Sequence, residues 1–299
     1  LDLTKSFLDY LEFEKRYSPH TLEAYQQDIQ QYLDYLTFVY NIQDIYETQG
    51  FHLRSWMVSL HEHKRTNRTI NRKISALKSF FNFLRKRHGL VSNPTRKLIN
   101  PRVEKRLPVV VRKEQLDQLL KLNRGELNDF KGLRDNLVLD ILYSCGLRRS
   151  ELIQLKSLDF DWGRRLLKVE GKGKKERWIP VSPELIMQVQ KYLTVRNSWL
   201  AENGFNPPVQ LLITDQGQPL YPKWVYNFVK SNLSLVTSVE RRSPHIIRHS
   251  FATHLSDAGA DLNAIKTLLG HASLAATQVY MHNSVEKLKK IYDQAHPKS

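Results

Sequence analysis

The sequence predicts a mainly α-helical, two-domain chain. A four-helix bundle is expected over residues 1–90, and an α+β domain with a small antiparallel β-sheet over residues 109–299. Three observations carry this expectation. Apolar residues recur at helical spacing through the first part. The stretch from Val91 to Pro108 holds Pro94, Pro101 and Pro108 with little periodicity, as an interdomain linker does. The clear strand-like alternation lies only between Leu166 and Val181.

Within the bundle, Leu3, Phe7, Tyr10 and Leu11 form one apolar stripe. Ser18 and Pro19 are the cap and first residue of the next helix, which carries Leu22, Tyr25, Ile29, Leu33 and Leu36 at helical spacing. Phe51 to Leu60 makes a third. The fourth runs from about Thr66 to Arg87, with Ile70, Ile74, Leu77, Phe81 and Leu84 inward and Gly89 as its stop.

In the second part, helices are expected from Arg112 to Leu122 and from Asp129 to Ser144. Gly146 breaks the second of these, Arg148 stands in the turn, and Ser150 caps a helix carrying Glu151, Leu152 and Leu155. Strands over Leu166–Glu170 and Glu176–Val181 flank the turn Gly171-Lys172-Gly173. Helices follow from Pro183 to about Leu200 and from Trp224 to Leu233, with a Pro- and Gly-rich loop region between them. Ser243 and Pro244 start another helix. From about Asp261 a further one places Leu262, Ile265, Leu268 and Leu269 inward and ends on Gly270 in a left-handed conformation. His271 follows at once, and a short helix capped by Ser273 carries Tyr280.

Charge narrows the function. Lys+Arg number 46 against 30 Asp+Glu, a formal net charge of +16, which suits a polyanionic partner, nucleic acid first, with a ribosome-associated or merely basic soluble protein as the plain alternative. From His63 to Val103 there is no acidic residue, while Lys64, Arg65, Arg68, Arg72, Lys73, Lys78, Arg85, Lys86, Arg87, Arg96, Lys97 and Arg102 all fall there. A basic face without a ligand is the plain alternative; an acid-free helix of this length repels itself unless a polyanion neutralises it. Arg68, Arg72 and Lys73 are the foremost candidates for DNA contact, with Ser18, Thr21 and Tyr25 on the second helix. Most such contacts go to phosphate and carry little sequence information. The hairpin tip GKGKK adds Lys174 and Lys175 as candidates for a DNA groove; it lacks the spacing of a nucleotide-binding loop. A single cysteine, Cys145, excludes an internal disulfide and suits a reducing compartment. No apolar run approaches a membrane span and no signal-peptide pattern is present, so a cytoplasmic protein without membrane contact is expected; the start at Leu1 rather than Met suggests a few trimmed residues.

Taken singly, the candidate chemical groups are ambiguous. Arg148 suits a salt bridge to Glu151, and a tyrosine on a helix is usually packing. His245 and His249 stand at zinc-ligand spacing, yet no third ligand is evident and HExxH is missing; His249 and His254 suit the core. The set in order is more telling. HIIRH, LLGH and the tyrosine nine positions after His271, with CGLRRSEL upstream, resemble the tyrosine recombinase family. The surrounding RHSFATHL and GADLNAIKTLLGHASLAATQVY are similar to its Xer branch, and the resemblance spans nearly the whole chain. Arg149 departs from the pattern, where an apolar residue is usual.

The resemblance implies a SAM-like core-binding domain followed by a catalytic domain, and a catalytic set of Arg148, Lys172, His245, Arg248, His271 and the nucleophile Tyr280. Such a set suits phosphodiester chemistry. The phenol forms a covalent ester with the phosphate, and His245 helps its proton leave. Arg148 and Arg248 each present a planar fork to the charge gathering on the phosphorane, and His271 donates a further hydrogen bond. Lys172 protonates the departing 5′ oxygen. The guanidiniums carry the charge stabilisation, so no cofactor, metal or ATP is expected.

The family forms 3′-phosphotyrosyl DNA, and four protomers on two duplexes pass through a Holliday junction. By the same resemblance a homo-tetramer or a hetero-tetramer with a paralogous recombinase is expected, with a DNA translocase of the FtsK type as a further partner. Residues 284–299 would dock on a neighbouring protomer through Val285, Leu288 and Ile291; docking on their own domain is the alternative. Resolution of chromosome dimers is the leading role. The integrase or transposase of a mobile element, or a non-catalytic DNA-binding protein, are the others. The usual arm-binding domain of an integrase is not evident ahead of the first bundle helix.

Overall fold

The computed structural model describes residues 2–103, 109–123, 129–171, 175–240 and 242–270. The chain divides into two compact units, Leu1–Arg106 and Leu107–Ser299. It is mainly helical, with one three-stranded antiparallel sheet in the second unit.

The first unit is built from α1 (Leu3–Asp9), α2 (Pro19–Tyr40), α3 (Gly50–Glu62) and α4 (Asn67–Arg87). Asp2 and Thr66 cap α1 and α4 through their side chains; Ser18 stands at the N-cap of α2 but bonds Thr21 instead. A π-helical turn over Tyr10–Glu14 continues α1 and was not legible in the apolar stripe. Phe7, Leu11, Ile29, Tyr32, Leu53, Trp56, Ile74, Leu77 and Phe81 interlock as a closed core. Burying side chains of this size contributes about 2 kcal/mol each, which is what holds helices that are individually marginal.

In the second unit, α5 (Lys113–Asn123), α6 (Phe130–Ser144) and α7 (Arg149–Gln154) precede strands β1 (Phe160–Asp161), β2 (Leu166–Glu170) and β3 (Glu176–Pro180). Helices α8 (Pro183–Glu202), α9 (Pro222–Ser234), α10 (Pro244–Asp257) and α11 (Leu262–Leu269) follow. The strand order is β1-β2-β3, with Leu167 opposite Ile179 and Val169 opposite Arg177. Helix α6 is buried on nearly every face, so it forms the spine of the unit and packs against α8 and α10.

Three local expectations are corrected. Ser150 does not cap α7: Arg148 occupies the N-cap, and the Glu151 carboxylate accepts from the Arg148 backbone N–H at 2.8 Å. Ser243 precedes α10 without a side-chain cap bond. Leu262 is 62% exposed rather than inward, because Asp261 caps α11 and the first turn faces solvent. Strand β1 escaped notice because two residues carry no periodicity.

Candidate active site

Arg148 and Arg248 lie a hundred positions apart in sequence and meet around one carboxylate, that of Glu151. A tight backbone bend brings the first of them in. Gly146 adopts φ +57°, and a Cβ there would stand 2.4 Å from the Phe251 ring, so only glycine fits. Leu147 is fully buried behind it, which leaves Arg148 at the N-cap of α7 with its side chain 37% exposed. Helix α10 supplies Arg248 from its buried side, next to Ile247 and Phe251. His245 stands in the first turn of the same helix and is exposed.

Glu151 gathers three guanidiniums. Its Oε1 accepts from Arg148 Nη1 at 2.7 Å and from Arg177 Nη1 at 2.9 Å. Its Oε2 accepts from Arg177 Nη2 at 2.8 Å and lies 3.7 Å from Arg248 Nη1. Burial pushes the Glu151 carboxyl up, but the hydrogen bonds and charge of Arg177, then the bonds from Arg148, outweigh it and hold the group down at about 2. Burial, followed by repulsion from Arg148, brings Arg248 down to about 10 against the pull of Glu151, which leaves it charged at neutral pH.

The same three arginines occupy the C-terminal end of α11. Helix α11 stops because Gly270 takes φ +62°, and its last carbonyls have no intrahelical partners. Arg177 Nε donates to the Leu268 carbonyl at 2.7 Å, Arg248 Nη2 to that of Leu269, and Arg148 Nη2 to that of Gly270 at 3.3 Å. Arg248 also donates to the Gly146 carbonyl at 2.6 Å, which ties the bend to the helix end. The negative end of the helix dipole favours this arrangement. Three guanidiniums against one carboxylate still leave a net of two positive charges, in a place that ends one residue before His271.

The other expected residues are distributed as follows. Lys172 and Lys174, between β2 and β3 in sequence, and His271 and Tyr280, after α11, lie outside the described residues. Lys175 is exposed, and its carbonyl accepts from Gly171 N–H at 2.7 Å to close the hairpin. Arg149 points outward to the Pro222 carbonyl, so its departure from the apolar pattern leaves the core untouched. His254 bonds Tyr143 at 2.9 Å, and burial lowers its pKa, as suits a packing role. Arg177 was not singled out in the sequence, although a signal existed. It shares strand parity with the fully buried Ile179, and an arginine on the inward side of a strand needs a carboxylate.

In the first unit, Arg68 is exposed and Arg72 half-exposed, while Ser18, Thr21 and Tyr25 are partly buried. Lys73 is corrected: it is 4% exposed, and its ammonium is held by Asp28 at 2.8 Å and Gln31 at 2.6 Å, over the Trp56 ring. Spacing explains this, since Lys73 follows Ile70 by three and precedes Leu77 by four, on the inward face. Arg72 also pairs with Asp28, and Arg87 with Glu14, so carboxylates from other elements relieve part of the acid-free run.

Comparisons with known proteins agree with this architecture. Residues 110–287 match the Phage integrase family, and residues 4–88 match Phage integrase, N-terminal SAM-like domain. The chain is 34% identical over 317 residues to the tyrosine recombinase XerC of Chlorobaculum parvum, covering 97% of this chain and 93% of that one. It is 32% identical over 298 residues to the tyrosine recombinase XerC of Bacillus subtilis, covering 100% and 97%. Its fold is similar to that of the Tn1549 transposon integrase in complex with transposon right end DNA, with a TM-score of 0.71 at 19% identity over 91% of this chain and 92% of that one. It is also similar to the XerH site-specific recombinase bound to a palindromic difH substrate, with a TM-score of 0.68 at 20% identity over 96% and 83%.

Proposed function

The chain belongs to the phage integrase family and is a tyrosine recombinase, and from that premise we propose that it carries out Xer-like site-specific recombination that resolves chromosome dimers. The observation that carries the mechanistic reading is the fixed pair Arg148 and Arg248, held by Glu151 and the end of α11 immediately before His271.

In this reading the Tyr280 oxygen attacks the scissile phosphorus and its proton leaves with help from His245. The bond from phosphorus to the 5′ oxygen breaks, and Lys172 supplies the proton that this oxygen takes up. The DNA 3′ phosphate remains on tyrosine until the 5′ hydroxyl of the partner strand attacks it and returns the phenol. Arg148 and Arg248 each spend two of five N–H donors on described acceptors, which fixes their planes while leaving N–H groups for phosphoryl oxygens. His271 adds a donor. The arginines supply the charge stabilisation, so neither metal nor nucleotide enters the scheme.

Residues 1–90 act as the core-binding domain, 91–108 as the linker and 109–299 as the catalytic domain. Double-stranded DNA lies against the exposed cations Arg68, Arg72 and Lys175, and partly against Ser18, Thr21 and Tyr25. The working assembly is a tetramer on two duplexes, made of this chain alone or with a paralogous recombinase, and served by a translocase of the FtsK type in the cytoplasm. Among the described residues no helix is long and apolar enough to cross a membrane.

A nicked duplex carrying the cognate site tests the chemistry, because release of the short 5′ fragment traps the covalent intermediate. The expected result is a denaturant-resistant protein–DNA adduct that persists in EDTA and vanishes in Tyr280→Phe. An adduct retained by that variant, or absent from wild type on cognate DNA, would overturn the mechanism.

A further inference from the structure

We propose that Arg177 is a positioning residue for this reaction: a single guanidinium that locks the β2–β3 hairpin to Glu151 and to the C-terminal end of α11, and thereby sets the aim of Arg148. The proposal rests on the recombinase reading and names a residue that the scheme above does not use.

Arg177 makes three charge-assisted hydrogen bonds in two directions. Nη1 and Nη2 take the two carboxylate oxygens of Glu151 as a parallel fork, at 2.9 and 2.8 Å, and Nε takes the Leu268 carbonyl at 2.7 Å. Its side chain is 9% exposed and lies against Gly270, where an added Cβ would stand 3.2 Å from Arg177 Cδ and Nη1. The side chain is therefore packed as well as bonded. Only an arginine can serve both groups at once, because lysine offers a single point charge without a planar fork.

Its position gives it leverage. Arg177 sits opposite Val169, and the strand it anchors begins four residues after Lys172 in sequence. From there it pins Glu151 on one side while Arg148 pulls the same carboxylate from the other through Nη1 and through its backbone N–H. Without Arg177, Glu151 and Arg148 can swing together as a pair. Misplacing a catalytic group by about 1 Å costs on the order of a hundredfold in rate.

The test is Arg177→Lys, which keeps the charge and removes the fork, measured in single-turnover adduct formation on the nicked duplex at saturating DNA. The expected outcome is adduct formation slower by about a hundredfold with the DNA dissociation constant changed less than about threefold. A second readout is the pH profile. The groups facing Glu151 are Arg148 from the N-cap of α7, Arg177 from β3 and Arg248 from α10. With the Arg177 fork gone, the buried carboxyl rises, and the variant's rate should fall more steeply than that of wild type as the pH is lowered. Ethylguanidinium added to Arg177→Ala should restore part of the rate. Wild-type rate and a wild-type profile in Arg177→Lys would overturn the proposal while leaving the recombinase reading intact; failure of both variants to fold would make Arg177 a structural residue and overturn it equally. Absence of any adduct from wild type would instead remove the recombinase mechanism on which the proposal stands.

Discussion

Each unit of this molecule gathers several cations on one buried acid, and the two do so in different ways. In the first, Asp28 on α2 is 1% exposed and holds Arg72 and Lys73, adjacent residues of α4. In the second, Glu151 holds Arg148, Arg177 and Arg248, which come from three separate elements. Among the described residues Asp28 bonds only side chains, and one of its two cations is buried with it. Glu151 shares its cations with the carbonyls of Leu268, Leu269 and Gly270, so every guanidinium is fixed at two points. Arg72, bonded to Asp28 alone among the described residues and half-exposed, can follow a flexible phosphate backbone, whereas Lys73 is held by Gln31 as well. Cations held at two points keep a fixed geometry, which is what a developing phosphorane charge requires.

The sharpest way to break the contrast is Glu151→Gln. Removing one member of a buried ionic cluster typically costs 3–5 kcal/mol, because the remaining charges are left uncompensated, so the midpoint of thermal unfolding should fall by about 10 °C or more. Adduct formation should fall by at least about a hundredfold, since all three guanidiniums lose their common anchor. The acid sensitivity of the fold should change too. Glu151 titrates at about 2 in the folded state against 4.5 ordinarily, so its stabilisation is whole above 4.5 and drains away as pH falls toward 2. That shift corresponds to roughly 3 kcal/mol. Urea midpoints at pH 7 and at pH 3 should therefore converge in Glu151→Gln relative to wild type. An unchanged gap between the two pH values would mean that other carboxylates carry the acid sensitivity.

Gly146→Ala probes the bend that delivers Arg148. The added methyl meets a left-handed backbone and the Phe251 ring at once, and costs of about 1 kcal/mol for the dihedral and 1–3 kcal/mol for the overlap are expected. Thermal unfolding gives the stability loss. The double variant Gly146→Ala with Phe251→Leu should recover the overlap part but not the dihedral part, and a double variant no better than the single would show that the ring is not the obstacle.

The helices were legible because their apolar stripes and stop signals are local properties. Gly270 at the end of α11 and Asp129 at the head of α6 could be read from a few neighbouring residues. The arginine cluster was half legible. Arg148 and Arg248 stood out through resemblance, and the Arg148–Glu151 pair was foreseen as an ordinary salt bridge, which it also is. The inward parity of Arg177 was readable from Ile179 two positions on, but its partners, 26 and 91 positions away, were not. Lys73 misled for a related reason. Its charge was counted within an acid-free stretch, while its inward parity, and an Asp28 some 45 positions upstream, were what decided its place.

The smallest expected effect on function, a several-fold change in DNA affinity, sharpens the comparison within the first unit. Arg72 and Lys73 are neighbours with the same charge and the same carboxylate, but Arg72 has a side chain 46% exposed and Lys73 one 5% exposed. If exposure decides which cation reaches a phosphate, Arg72→Ala should weaken DNA binding several-fold and reduce the slope of log affinity against log salt by about 0.9. Lys73→Met should leave that slope unchanged, because the lysine releases no counterion on binding. It should instead reduce stability by about 3 kcal/mol, since Asp28 and Gln31 lose a buried partner. Titrations of both variants at several salt concentrations, alongside urea unfolding, separate the two residues. Equal loss of salt slope in both would mean that the Asp28 pocket opens when DNA arrives, and that the cations of the first unit are no less available than they looked in the sequence.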